Sequence, residues 1–184
     1  MDNRAVIFLD RDGVINRRAP MHSYIYSWDR FELLPGVTEA IRICNEKGLP
    51  VIVVSNQRGI ARGIFTKEQT DQLHERLNEE LQKSGAHIDA FFVCPHGENE
   101  CECRKPKPGL FVQAQEYLEA QGIRVKKSGS FMIGDSASDI LAGKAYGIRT
   151  VFIGDDREAF EKTGAGHMSP DLLSAIRYIE ERDR

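Results

Sequence analysis

The chain has 184 residues, enough for one sizeable core, and its 41% hydrophobic and 29% charged composition excludes an intrinsically disordered chain. Its 28 acidic and 25 basic side chains leave a formal charge of −3, which favours neither a nucleic-acid-binding nor a membrane-binding surface. An anionic ligand would therefore need a local basic cluster.

Short, apolar, β-branched runs alternate with helical patterns along the chain, and this alternation predicts a parallel α/β sheet. Each run is apolar on both faces, as expected of strands that helices cover from both sides. The predicted strands are residues 5–9, 50–55, 90–94, 130–134 and 150–154. We therefore predict one domain over residues 1–184, a doubly wound, Rossmann-like parallel sheet.

Helix signals fill the segments between these strands. Val37, Ala40, Ile41 and Cys44 follow helical spacing, and Gly48 marks the end of that helix. Further helices are predicted after the capping box of Thr66 and Gln69, before Gly122, before Gly147 and over residues 170–181.

Two connections are too long and irregular to be simple turns, residues 16–35 and residues 95–108. Long ordered loops in compact α/β domains usually carry function. In a doubly wound sheet they overhang the carboxyl ends of the strands, where ligands bind. We therefore expect both loops to border a binding site.

Polar side chains follow several of the predicted strands. Asp10 and Asp12 come directly after the first strand, a pattern that an ordinary solvated turn would also explain. Other strand ends favour a site: Ser55 ends the second strand, Asp135 follows the fourth, and Lys105 lies in the loop after the third. Gathered carboxylates repel one another unless a cation lies between them, and hard oxygen ligands suit Mg²⁺.

In their order along the chain these elements resemble the four motifs of the haloacid dehalogenase superfamily of phosphatases. The matching residues are Asp10-x-Asp12-Gly13, Ser55-Asn56, Lys105-Pro106 and Gly134-Asp135-Ser136-x-Ser138-Asp139. The resemblance implies the haloacid dehalogenase type of α/β fold, essentially without a cap domain. It also implies a Mg²⁺-dependent phosphatase.

The resemblance assigns a role to each motif residue. Asp10 is the expected nucleophile and forms an aspartyl-phosphate, whereas Asp12 protonates the leaving alkoxide and then activates water. Asp10, Asp135 and the backbone carbonyl of Asp12 are the expected Mg²⁺ ligands. Ser55 and Lys105 are expected to bind the non-bridging phosphate oxygens, where transition-state charge develops.

Three of the four cysteines and one histidine lie within ten residues, Cys94, His96, Cys101 and Cys103. Three thiolates and one imidazole suit a closed, tetrahedral Zn²⁺ site. The alternative is a group of free thiols beside a loop histidine, with or without one adventitious disulfide. Because four protein ligands leave no position for water, we predict a structural zinc that orders the loop 94–103.

The zinc loop and the Arg104-Lys105-Pro106 that follows it are similar to two small phosphatase families. One hydrolyses the 7-phosphate of D-glycero-D-manno-heptose 1,7-bisphosphate, and the other hydrolyses histidinol phosphate. The Asn-Gln-Arg-Gly-Ile-Ala-Arg-Gly stretch at residues 56–63 favours the heptose family. Arg58 and Ser136 depart from that family's usual serine and lysine, which leaves the sugar and the anomer at carbon 1 open.

A small phosphorylated sugar with two phosphates requires a second anion site beyond Lys105. Arginine binds phosphate bidentately, so arginines near the motifs are the first candidates. The predicted substrate contacts are Asn56, Gln57, Arg58, Arg104 and Arg18.

Four further residues keep open roles. Asp139 is expected to orient Lys105 or a metal-bound water rather than to bind the ion. Arg17 is either a further phosphate ligand or a solvated loop charge. Arg62 contacts either the substrate or the backbone of its own loop, and His22 is a weaker substrate candidate.

Two other functional classes remain to be weighed. Phosphotransfer or phosphonate chemistry occurs on the same scaffold, but no lysine follows the second strand to form a Schiff base. A non-enzymatic interaction module would have no use for the protonatable carboxylate of Asp12. A phosphatase is therefore the favoured function.

The chain carries no sign of a targeting or membrane segment. Residues 1–12 lack the long apolar core and the cleavage site of a signal peptide. No stretch approaches the roughly eighteen apolar residues of a membrane span. We therefore expect a cytoplasmic monomer whose partner is neither a membrane nor a nucleic acid.

Overall fold

A parallel sheet of six strands runs through the centre of the computed structural model, which describes residues 1–182. In chain order the strands are β1 (Asp2–Arg4), β2 (Ile7–Leu9), β3 (Val51–Asn56), β4 (Ala90–Cys94), β5 (Ile123–Val125), β6 (Phe131–Gly134), β7 (Arg149–Ile153) and β8 (His167–Ser169). The helices are α1 (Val37–Glu46), α2 (Lys67–Gln82), α3 (Gly109–Ala120), α4 (Ala137–Tyr146), α5 (Arg157–Thr163) and α6 (Leu172–Arg182).

The strand order in the main sheet is β4-β3-β2-β6-β7-β8, and every neighbouring pair is parallel. The chain builds outwards from β2 through β3 to β4, and then continues on the other side of β2 with β6. The order of the strands therefore reverses beside β2, and ligands of open α/β sheets bind at such a switch point. The predicted doubly wound parallel sheet is confirmed.

The central strands are buried on both faces, as their apolar runs predict. Ile7 and Leu9 of β2 pack into one core cluster, whereas Phe8 packs into a second cluster on the opposite face. Successive side chains of a strand point to opposite faces, so one continuous apolar run supplies both cores. The helices α1 and α6 contact each other over the first core, and α3 and α4 do so over the second.

The predicted helices are present, and the capping box at the start of α2 is confirmed. The Thr66 hydroxyl accepts a hydrogen bond from the backbone N–H of Gln69 at 3.2 Å, and the Gln69 side chain accepts one from the Thr66 N–H at 2.9 Å. Four elements were not predicted: the three-residue strands β1, β5 and β8, and the seven-residue helix α5. Their short or polar sequences carry no periodic apolar pattern.

The two long loops, residues 16–35 and 95–108, lie after the carboxyl ends of β2 and β4. Residues 16–35 contain a 3₁₀ turn at Trp28–Arg30, and no cap domain is inserted there within the described chain. A bridge between Asn16 and Leu33 closes the base of this loop. Within residues 1–182 none of the helices has the length and hydropathy needed to cross a bilayer.

Candidate active site

The carboxyl ends of β2, β3 and β6 bring the predicted polar residues to one edge of the sheet. Asp10 directly follows β2, Ser55 is the penultimate residue of β3, and Asp135 directly follows β6. The loop after β4 carries Lys105 into the same place, and the first turn of α4 carries Asp139. The sequence motifs thus meet in space as their positions at the strand ends predict.

Lys105 lies at the centre of this group and is 3% exposed. Its ammonium donates to Asp10 Oδ1 at 2.8 Å, to Asp139 Oδ1 at 2.5 Å and to the backbone carbonyl of Val54 at 2.7 Å. Burial by itself lowers the pKa of Lys105, but the charges of Asp10 and Asp139 outweigh it and raise the pKa above its ordinary value. Lys105 is therefore a fixed cation at the site.

Negative charge is concentrated beside that cation. Ligand oxygens of Asp10, Asp135 and Asp139 all lie within 4.8 Å of one another. Burial, then the charge of Asp139, raises the pKa of Asp10 to about 7, although Lys105 partly opposes the shift. Burial is also the main reason that the pKa of Asp135 rises to about 6. Carboxylates whose charged forms are disfavoured by burial and mutual repulsion fit the binding of a hard cation such as Mg²⁺.

A glycine makes this close packing possible. Gly13 has a φ of +92°, and a Cβ atom placed on it would lie 1.7 Å from Asp135 Oδ2. A side chain at this position would therefore both strain the backbone and displace the Asp135 carboxylate. The glycine of the first motif is a requirement of the site as well as of the turn.

Asp139 is fully engaged by protein groups. Its Oδ1 accepts from Lys105, and its Oδ2 accepts from the Ser136 N–H at 3.0 Å and the Ser136 hydroxyl at 2.6 Å. The second pair of contacts caps the N-terminus of α4. This arrangement supports the expectation that Asp139 orients Lys105, and it leaves Asp10 and Asp135 as the carboxylates that fit a metal.

Asp12 is held by three side chains. Its Oδ1 accepts from Asn16 at 2.9 Å and from Arg11 at 3.0 Å, and its Oδ2 accepts from Arg11 and Gln57, each at 2.9 Å. Burial alone would raise the pKa of Asp12, but the Arg11 charge and these hydrogen bonds hold it below its usual value. Arg11 and the fully buried Asn16 are site residues that the sequence analysis missed.

The predicted substrate contacts Asn56 and Gln57 bind protein groups in this structure. The Asn56 amide accepts from the Lys105 N–H at 3.1 Å and donates to the Lys105 carbonyl at 3.0 Å. The Gln57 amide donates to Ser55 Oγ at 2.9 Å in addition to Asp12. Both side chains thus hold motif residues in place.

The arginines near the site have varied partners. Arg18 donates to Asp135 Oδ1 at 2.6 Å, and Arg104 donates to the His96 carbonyl at 3.2 Å. Arg58 pairs with Glu98 at 2.7 Å and Arg17 pairs bidentately with Glu32. Arg62 donates to the Tyr24 hydroxyl at 3.0 Å rather than to its own backbone, and His22 is exposed.

The four zinc-ligand candidates converge on one point. Adjacent ligand atoms are 3.3 Å apart for Cys101–Cys103, 3.4 Å for His96–Cys103, 3.5 Å for Cys94–Cys101 and 3.7 Å for Cys94–His96. None of the four cysteines forms a disulfide in this structure. Metal–ligand bonds of about 2.3 Å to sulfur and about 2.0 Å to nitrogen give a tetrahedron with edges of about 3.5–3.8 Å. The observed spacing therefore fits a tetrahedral ion.

Fold and site together have the arrangement of the haloacid dehalogenase superfamily of phosphatases. A family model described as polynucleotide kinase 3 phosphatase matches residues 5–171. A curated protein of Pasteurella multocida (strain Pm70), named D-glycero-beta-D-manno-heptose-1,7-bisphosphate 7-phosphatase, is 38% identical over 157 residues, which cover 82% of this chain and 81% of that protein.

Two further relatives extend the likeness over nearly the whole chain. A Chlorobaculum tepidum protein named D-glycero-D-manno-heptose-1,7-bisphosphate 7-phosphatase is 34% identical, and the aligned residues cover 96% of this chain and 94% of that protein. The crystal structure of D,D-heptose 1,7-bisphosphate phosphatase from B. bronchiseptica, complexed with magnesium and phosphate, has a TM-score of 0.83 at 29% identity and covers 99% of each chain. The chain therefore belongs to the family of haloacid dehalogenase-type phosphatases that contains these heptose bisphosphate phosphatases.

Proposed function

We propose that this chain is a Mg²⁺-dependent phosphatase that hydrolyses the 7-phosphate of D-glycero-D-manno-heptose 1,7-bisphosphate through an aspartyl-phosphate on Asp10. The observation that carries the proposal is the buried ammonium of Lys105 between Asp10 and Asp139 at the switch point of the sheet. The names of the relatives from Pasteurella multocida and Chlorobaculum tepidum support the choice of substrate.

Asp10 and Asp12 divide the chemistry between them. The Asp10 carboxylate forms a bond to phosphorus while the bond from phosphorus to the sugar oxygen breaks, and Asp12 donates a proton to that oxygen. In the second step Asp12 takes a proton from water, which attacks the phosphorus and releases Asp10. Ser55 and Lys105 bind the phosphoryl oxygens as charge develops on them.

Two metal sites complete this proposal. Asp10 and Asp135, with the backbone carbonyl of Asp12, would hold Mg²⁺, whose charge lets a carboxylate approach an anionic phosphate. The group Cys94, His96, Cys101 and Cys103 would hold a structural Zn²⁺.

The second phosphate of the substrate requires its own cationic partner. Arg104 is the first candidate because it directly precedes Lys105, and Arg58 and Arg18 are the next. The side chains of Arg58 and Arg18 are partly exposed, and a phosphate can replace the carboxylate or carbonyl partners of the three arginines as a bidentate ligand. Asn56 and Gln57 act on the substrate through Lys105, Ser55 and Asp12.

The remaining proposals concern the setting of the enzyme. We infer a cytoplasmic monomer that acts on a small sugar phosphate and binds neither nucleic acid nor a membrane. The formal charge of −3 and the enzymatic character of the named relatives support this inference. Light scattering coupled to size-exclusion chromatography would give a mass close to 20.8 kDa for a monomer.

The test is phosphate release with Mg²⁺ from four substrates: both anomers of the heptose 1,7-bisphosphate, histidinol phosphate and fructose 1,6-bisphosphate. We expect kcat/KM to favour one heptose anomer by about a hundredfold, near 2.7 kcal/mol of transition-state discrimination. Comparable slow rates on all four would overturn the heptose assignment but keep the phosphatase. A clear preference for histidinol phosphate would move the chain to the alternative family.

The covalent mechanism has a separate test. We expect Asp10→Asn to abolish turnover of every substrate, because an amide cannot act as the nucleophile. The circular dichroism spectrum and the zinc content should match those of the wild-type protein. Wild-type rates in this variant would overturn the aspartyl-phosphate.

A further inference from the structure

Arg11 is an unusual residue to find between two catalytic aspartates, because it is fully buried. One terminal nitrogen donates to both oxygens of Asp12, at 3.0 and 2.9 Å, and to the backbone carbonyl of Ile25 at 2.7 Å. The other terminal nitrogen lies 3.5 Å from His74 Nε2. The guanidinium thus joins the first motif to the long loop 16–35 and to helix α2.

The charge of Arg11 has a single acidic partner among these contacts. Burial, and then the charge of Arg11, lowers the pKa of His74 to about 3, so His74 is a neutral acceptor. The imidazole is fixed in turn by stacking on Phe91, with the ring centroids 4.3 Å apart. A buried guanidinium without a carboxylate partner would be strongly unfavourable. The free energy of burying Arg11 therefore depends on its contact with Asp12.

The two partners differ in their access to a substrate. The side chain of Arg11 is 1% exposed, whereas that of Asp12 is 27% exposed. Arg11 therefore contacts the Asp12 carboxylate from inside the protein and cannot itself reach a substrate. The single Arg11 nitrogen that contacts both oxygens restrains the direction in which the Asp12 carboxylate points. The same charge favours the ionised carboxylate, so Arg11 serves Asp12 through its orientation and not through its acidity.

We propose that Arg11 is a positioning residue that aims the Asp12 carboxylate at the leaving-group oxygen and ties that aim to the loop 16–35 through the Ile25 carbonyl. This inference rests on the proposed function, in which Asp12 is the general acid. It adds a buried residue that contacts the carboxylate of the general acid and neither of the two carboxylates proposed to bind Mg²⁺.

The experiment compares two leaving groups. One substrate is the sugar bisphosphate that the wild-type enzyme turns over fastest, whose alkoxide must be protonated, and the other is p-nitrophenyl phosphate, whose phenolate leaves without a proton. General acid catalysis contributes about 10²- to 10⁴-fold, so we expect Arg11→Gln to lower kcat/KM about 100-fold on the sugar. On p-nitrophenyl phosphate the loss should stay within about threefold, because kcat/KM covers only the steps up to leaving-group departure.

A double-variant cycle shows whether Arg11 acts through Asp12. Asp12→Asn should reproduce the selective loss, and Arg11→Gln combined with Asp12→Asn should lose no more than Asp12→Asn alone. Equal losses on both substrates, or losses that multiply in the double variant, would overturn the inference and leave Arg11 a structural residue.

Arg11→Lys provides a second route if Arg11→Gln fails to fold. It keeps the buried charge but replaces two terminal nitrogens, one at Asp12 and Ile25 and one near His74, by a single ammonium. The same selective loss is therefore expected with a native circular dichroism spectrum. Unchanged rates on the sugar in Arg11→Lys would also overturn the inference. A wild-type protein without activity on any phosphate monoester would overturn both proposals, whereas unselective losses in an active enzyme would reject only the role of Arg11.

Discussion

The side chain of Asn56 uses both ends of its amide on the backbone of a single residue, Lys105. These two hydrogen bonds hold the backbone of Lys105 much as hydrogen bonds to a neighbouring strand hold a residue in a sheet. The ammonium of Lys105, which we propose binds phosphate, therefore depends on β3 for its position, even though Lys105 belongs to the loop after β4. A displacement of about 1 Å in a catalytic group can reduce the rate about 10²-fold.

We expect Asn56→Ala to lower kcat by about 10- to 100-fold, because Lys105 loses this anchor. The zinc content should not change. Steady-state kinetics with the preferred sugar bisphosphate would measure the effect. Gln113→Ala, which removes an exposed amide from α3, is the control and should keep wild-type kcat. A large rise in KM at constant kcat would instead favour a direct substrate contact of Asn56.

Arg18 occupies a carboxylate oxygen of Asp135 that the proposed Mg²⁺ would need. Its guanidinium is 57% exposed and donates to Asp135 Oδ1, one of the oxygens that fit the metal. Exposed ion pairs of this kind contribute about 0.2–1 kcal/mol, so we expect Arg18→Gln to tighten Mg²⁺ binding by about two- to fivefold. Isothermal titration without substrate would measure the dissociation constant.

The neighbouring arginine supplies the matched control for that titration. Arg17 pairs with the exposed Glu32 rather than with a carboxylate of the site. Arg17→Gln should therefore leave the Mg²⁺ affinity unchanged. Weaker Mg²⁺ binding in Arg18→Gln would show that the arginine supports the metal site rather than competing with it.

At the scale of elements, the proposed zinc would order the loop after β4 through its Cys/His group. Metal-binding energy at a structural zinc site is folding energy. We therefore expect Cys103→Ser to lose zinc, to lower the midpoint of thermal unfolding and to reduce kcat through Lys105. Zinc content by atomic absorption and thermal unfolding by circular dichroism are the measurements.

Cys44→Ala is the control for this prediction, because Cys44 is buried in the core beside α6 and lies outside the group. It should keep its zinc, although its stability falls slightly with the lost core volume. If chelation of all zinc from the wild-type protein left both activity and the thermal midpoint unchanged, the structural role of the ion would be wrong.

The elements also show how far the sequence alone could go. Runs such as Val51–Asn56 are strongly β-branched and buried on both faces, so their strands were predicted almost to the residue. Strand β1, Asp2–Arg4, is entirely polar and exposed and pairs only with β5, so its order depends on a partner far along the chain. Local pattern cannot reveal an element that exists through tertiary pairing.

The residues of the site likewise fall into those that the sequence motifs predict and those that they do not. Motif spacing placed Asp10, Ser55 and Lys105 at one edge, because parallel strands end together. The spacing could not show the contacts made from behind, such as that of Arg11 with His74, since these residues are 63 positions apart. The available signal in the sequence was a charged residue inside an otherwise buried turn. That signal is weak, because an arginine is more often exposed than buried.

At the scale of the whole molecule, two cores share one sheet. The strands β2 and β3 contribute alternate side chains to both clusters, so neither cluster can form without the other. We therefore expect the predicted single domain to unfold in one cooperative transition. Urea unfolding followed by the fluorescence of Trp28, the single tryptophan, should coincide with the far-ultraviolet circular dichroism curve.

Trp28 lies in the loop 16–35, stacks on Phe31 and packs against the first core, so it reports on the contact of this loop with the core. Two separate midpoints would show that this loop melts on its own and would contradict a single cooperative unit. The titration is best performed with the zinc retained, because metal loss adds a step of its own.

The Asn56 contacts have a consequence for engineering. Asn56 pairs in register with Cys94, the first residue of the zinc loop, and its amide holds Lys105, two residues beyond the last cysteine. One side chain thus braces the entrance and the exit of the same loop. A designer who transplants residues 94–105 onto another phosphatase must graft the asparagine of the adjacent strand with them, or the transferred lysine will arrive without its alignment.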